Sequence, residues 1–248
     1  MLNKQMQEQL KRETSFSQGI DTLLSLRHKL MEQLFHIRKE FAPEAFYAMP
    51  FPGAKGYHSK TIAYSIWHIF RIEDIVAHTL IKKDEEIFFK SNYQNRIGAS
   101  IITTGNELKG QQIVDFSKSL HLDELYQYIT EVKKSTDSIV RKLSYQDLKR
   151  GFDDSDKDRI RDLYVVSSGE EANGLIDYWC GKDIRGLIQM PFSRHWIMHI
   201  EAIVRIENKL RMQQKRQVFH KGFIVTERIR RTNYVPFKIK RRPLSNGR

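Results

Sequence analysis

The sequence predicts an all-α protein: a four-helix bundle with long crossover connections, followed by a basic C-terminal extension. Three observations carry this. Four segments of about 20 residues repeat apolar side chains at intervals of three and four. Long stretches of 39 or more residues without sustained period separate some of them, so neighbouring helices need not be joined by tight turns. The excess of basic charge is confined to the end of the chain. Of 42 Lys+Arg and 30 Asp+Glu, residues 205–248 hold 14 and 2, which leaves 28 and 28 before them. The expected division is therefore a bundle domain over 1–212 and a basic extension over 213–248.

The first helix is expected at about 16–37, on Phe16, Ile20, Leu23, Leu30, Leu34 and Ile37. One step of that stripe is taken by Arg27 instead of an apolar residue. The loop APEAFYAMPFPGAKGYHS, 42–59, follows and holds three of the six prolines. The second helix, about 60–82, carries Ile62, Ile66, Ile69, Ile72, Ile75 and Val76. It is apolar nearly all round at first, which predicts burial on more than one side. The third, about 122–143, alternates threes and fours through Leu122, Leu125, Ile129, Val132, Thr136, Ile139 and Leu143. The fourth, about 191–212, opens on Pro191, a residue suited to a first helical turn. Between them, 83–121 has no sustained period, 144–170 contains the acidic run DDSDKD and a short strand candidate, LYVVS, and 170–189 reads as one or two short helices broken at Gly181 or Gly186.

Composition sets bounds on function. The single cysteine, Cys180, allows no internal disulfide and suits a reducing, cytoplasmic setting. The opening MLNKQMQEQLKRE lacks the apolar core of a secretion signal, and no apolar run nears the roughly 20 residues of a membrane span. Gly-rich phosphate loops, G-x-S-x-G elbows and Cys-rich zinc patterns are missing.

One feature breaks the apolar pattern. The core-facing line of the fourth helix reads Phe192, His195, His199, Ala202, Ile206, with Leu210 near its end. Two imidazoles stand one helical turn apart where a bundle places Leu or Ile. Such a pair can share one cation, although the Glu of an HExxH site is replaced here by Trp196. The plainer alternative is two core histidines hydrogen-bonded to neighbouring groups. In the second helix the line Ser65, His68, Ile72, Ile75 sets a third imidazole among core residues. His68, His195 and His199 would then meet in the interior, with a coordination position left open as in catalytic sites. His58 and His78 are reserve ligands. Arg71 is a candidate anchor for an anionic substrate, with an ion pair to Glu73, Asp74 or another acid as the alternative.

The pairing of SIWHIFRIEDI with MPFSRHWIMHIEAIVRI resembles the DinB-like (YfiT-like) superfamily of metal-dependent four-helix-bundle proteins, over about residues 15–212. The resemblance implies a divalent metal, Zn, Ni or Fe, held by one histidine of the second helix and an HxxxH pair of the fourth, here His68, His195 and His199. It implies thiol-dependent transferase or isomerase chemistry, a low-molecular-weight thiol as a further cofactor, and a homodimer, while the open coordination position by itself suits a transferase or a hydrolase acting on a small molecule. The chemistry would rest on a metal-bound water or thiol. An alternative is nucleic-acid or other polyanion binding through the extension. There Arg228, Arg230, Arg231, Lys238, Lys240, Arg241 and Arg242 interleave with Phe219, Phe223, Tyr234 and Phe237. Two pieces of that extension, FIVTERI and NYVPFKI, read as short extended segments.

Overall fold

A computed structural model describes the backbone of residues 1–232, and side chains as far as 216 except those of 170–172. Its helices are α1 (Leu2–Gln9), α2 (Phe16–Glu40), α3 (Ile62–Asp74), α4 (Gln111–Ser119), α5 (Leu122–Lys142), α6 (Asp154–Asp162), α7 (Glu170–Cys180), α8 (Ile184–Gln189) and α9 (His195–Thr232). Single helical turns add Pro43–Phe46, Ile87–Lys90 and Tyr93–Ile97. α3 continues into a π-helical stretch, Ile75–Lys82, and a second π-helical turn, Met190–Arg194, leads into α9. Among the described residues there is no strand. The chain divides into two units after Glu207. The second is described as far as Thr232 and is helical there.

All thirteen side chains of α3 are buried. Its start is fixed by Thr61, whose hydroxyl accepts from the Tyr64 amide at 3.2 Å. α5 packs along α3, α4 lies against it, and the Met190–Arg194 turn touches both α2 and α3. α5 buries Leu125, Ile129, Val132, Thr136 and Ile139, the face its spacing predicts. The core runs on through Leu23, Ile72, Ile75, Val140, Ile160, Trp179, Leu187 and Phe192.

The apolar gap in α2 is filled electrostatically. Arg27 is fully buried and forks onto Glu73, with Nη2–Oε1 at 2.7 Å and Nη1–Oε2 at 2.8 Å. Its Nε donates to Asp137 at 2.7 Å, and its Cζ lies 4.5 Å from the centroid of the Trp196 ring. Trp196 in turn donates to Glu73 Oε2 at 2.7 Å. One network thus ties α2, α3, α5 and the start of α9 together, and a fully paired buried charge of this kind holds elements in one register.

Two expectations need correction. LYVVS is not a strand: Val165 and Val166 are buried, but the segment is made of turns and bends, and among the described residues there is no strand for it to pair with. FIVTERI is not extended either, because α9 runs past 212 to Thr232. From 208 to 232 the chain has no proline, a single glycine and many Lys, Arg and Gln, so nothing halts the helix and its polar residues favour it. NYVPFKI lies outside the described residues. The DDSDKD run, which has no apolar period, opens α6 through a reciprocal cap between Asp153 and Asp156.

Candidate metal centre

His68 comes from the middle of α3, and His195 and His199 from the first two turns of α9. They are 5%, 7% and 2% exposed, so all three imidazoles are removed from water. Their ring centroids lie 5.2 Å (68–195), 4.8 Å (68–199) and 4.6 Å (195–199) apart. One ring nitrogen from each falls within 4.8 Å of the others, close enough for a single ion to be shared.

The hydrogen bonding is uneven. His68 Nδ1 lies 2.6 Å from the Thr104 carbonyl. That acceptor requires the proton on Nδ1 and leaves the Nε2 lone pair free, the outer-partner arrangement common to metal-ligating histidines. His195 Nδ1 and both nitrogens of His199 are buried without a hydrogen-bond partner. Buried polar atoms are rarely left so, and a cation is the partner that several converging lone pairs would satisfy together. Burial pushes the His68 pKa down to about 4, opposed by the Thr104 bond. His195 and His199 are held well below the ordinary range, first by burial and then by neighbouring imidazoles. All three are neutral at pH 7, the form that binds metal.

The Thr104 carbonyl reaches His68 because the chain turns tightly over α3. Gly105 has φ +76°, and a Cβ there would come within 3.0 Å of Trp67 and 3.1 Å of Tyr64. Tyr64 donates to the Gly105 carbonyl at 2.8 Å and stacks on His68 at 5.6 Å. On the other side Tyr57 meets His199 edge-on at 4.6 Å. The π-helical turn at Met190–Arg194 immediately precedes His195, a feature often found next to functional residues. Sequence reasoning missed the part played by Thr104, Gly105 and Tyr57. The glycine in an aperiodic polar stretch was the one signal available.

The remaining candidates stand elsewhere. His78 is buried with both nitrogens engaged, Nδ1 with Asp84 at 2.6 Å and Nε2 with Ser135 at 3.0 Å. His58 sits in a half-buried turn and does not join the histidine group. Arg71 is fully buried and donates to the Ile102 carbonyl at 2.8 Å. It pairs with Glu86 at 2.6 Å, not with Glu73 or Asp74. Asp74 accepts from the amides of Ile87 and Phe88 at 2.9 and 2.8 Å and so caps that short helix. Cys180 is buried, and burial pushes its thiol up to about 11, so it is protonated at neutral pH. Arg228, Arg230 and Arg231 fall within α9. Lys238, Lys240, Arg241 and Arg242 lie outside the described residues. No helix among the described residues is long and apolar enough to cross a membrane.

No protein-family model matches the chain, and no curated protein matches it at a significant level.

Proposed function

We propose that this protein is a divalent-metal-dependent enzyme of the DinB-like four-helix-bundle type, a thiol-dependent transferase or a hydrolase acting on a small molecule. The observation that supports this reading is the buried group of His68, His195 and His199, in which one nitrogen of each ring lies within 4.8 Å of the others and three of the six ring nitrogens are buried without a partner. A divalent ion there would supply Lewis acidity, making a bound water or thiol easier to deprotonate. The chain's own contribution is to hold the ligands ready. Thr104 fixes the His68 tautomer, burial keeps all three rings neutral, and the Arg27–Glu73–Trp196 network anchors the first turn of α9. Among the described residues no carboxylate or thiol joins the group, which would leave a coordination position of the ion to water or a small molecule. Imidazole donors suit Zn, Ni and Fe(II) alike.

Protein prepared without a nickel column and analysed for metal tests the reading. About one equivalent per chain is expected, with a rise in Tm when Zn or Ni is added to metal-stripped protein. Protein without metal, whose Tm is unmoved by either ion, would overturn it.

A further inference from the structure

A cavity of about 190 Å³ adjoins the histidine group, and His68 and His195 form part of its wall. Ile72, Leu175, Trp179 and Met190 make much of the rest, with Tyr57 and Asn106 contributing polar edges. Among the described residues no charged side chain lines it. A ligand with a charged body would lose its hydration without gaining a partner inside. An apolar cavity of about 150 Å³ holds a benzene ring. This one is large enough for a six-membered ring with a short substituent.

We infer that this cavity is the substrate pocket of the metal centre, and that it selects a small molecule with an uncharged, ring-sized apolar body and one metal-binding donor group. The inference rests on the metal reading above, and the experiment separates the two. The 248-residue chain is loaded with Co(II), and its visible absorption is followed during titration with acetohydroxamate, benzohydroxamate and 4-carboxybenzohydroxamate. The three share one donor group and differ in the body presented to the cavity. Benzohydroxamate is expected to bind at least tenfold more tightly than acetohydroxamate, since only it buries a ring against Ile72, Leu175 and Trp179. The carboxylated ring should bind at least tenfold more weakly than the plain one. In Leu175→Trp, which fills the cavity from α7, the advantage of benzohydroxamate over acetohydroxamate should shrink below threefold with cobalt content unchanged. Cobalt bound in stoichiometric amount but all three probes binding alike would overturn the pocket and leave the metal centre standing. Failure to bind cobalt at all would overturn the metal centre, and the pocket with it.

Discussion

Each imidazole of the triad occupies a place where a leucine would be worth roughly 1.5–3 kcal/mol of buried surface. The group is therefore costly to the fold unless its nitrogens find a partner. His68→Ala, His195→Ala and His199→Ala should each lower metal affinity by orders of magnitude in a competition titration with a chelator, because two imidazoles bind far less tightly than three. His78→Ala should leave affinity unchanged, since both of its nitrogens already serve Asp84 and Ser135. The same burial predicts a pH dependence. The folded pKa of His68 is about 4, and those of His195 and His199 are also depressed, whereas an unfolded histidine titrates near 6.5. The unfolded chain thus takes up more protons below about pH 6.5, so this contribution is complete above that pH and is lost as pH falls towards about 4. The slope is up to about 1.4 kcal/mol per pH unit for each histidine. Asp74, pushed up to about 6 by burial, acts in the opposite sense over part of the window. It is common to wild type and variants, so comparing urea unfolding of metal-free wild type with a triple His→Phe variant isolates the histidines. Equal pH slopes would contradict the account. The triad was legible because helical spacing alone aims these three residues inward. Its support from Thr104 was not, since that contact spans 36 residues through an aperiodic loop.

At the level of elements, the four long helices were legible from their stripes, and α3 is buried on all sides as its near-continuous apolar surface requires. Among the shorter ones, the expected pair over 170–189 is present as α7 and α8 with the break at Gly181, whereas α1, α4 and α6 were not legible. α6 buries one apolar residue, Ile160, and α4 buries Ile113 and Phe116, too few to set a period. Arg27 was visible only as a gap in a stripe; nothing local could reveal that its partner Glu73 lies 46 residues away. Arg27→Ala leaves Glu73 buried and uncompensated, and urea unfolding should register a loss of about 3–5 kcal/mol. The double variant Arg27→Ala/Glu73→Ala should lose less than the two single losses added together, because it removes both charges. Strict additivity would mean that the pair is not coupled. The loop over α3 makes a separate demand. Gly105→Ala must move Trp67 or Tyr64 and strains a positive φ, so the Thr104 carbonyl should shift from His68. We expect a lower Tm and at least tenfold weaker metal binding. Unchanged metal affinity would show that the Thr104 bond does not orient the ligand.

Over the whole molecule, charge and metal site are separated along the chain. The excess basic residues begin at 205, after all three histidines. A chain ending at residue 212 should therefore run at a nearly neutral isoelectric point, bind heparin more weakly and keep its metal. Truncated protein that folds but has lost the metal would place part of the centre in the extension. Salt-sensitive nucleic-acid binding that vanishes on the same cut would instead support the polyanion reading. The central claim is that one ion is held by His68, His195 and His199 together, and X-ray absorption of the zinc-loaded protein tests it most directly. The account predicts three imidazole nitrogens around zinc in the wild type, and one fewer, or no zinc, in His68→Ala. A wild-type spectrum without histidine scattering, or one that His68→Ala leaves unchanged, would contradict it.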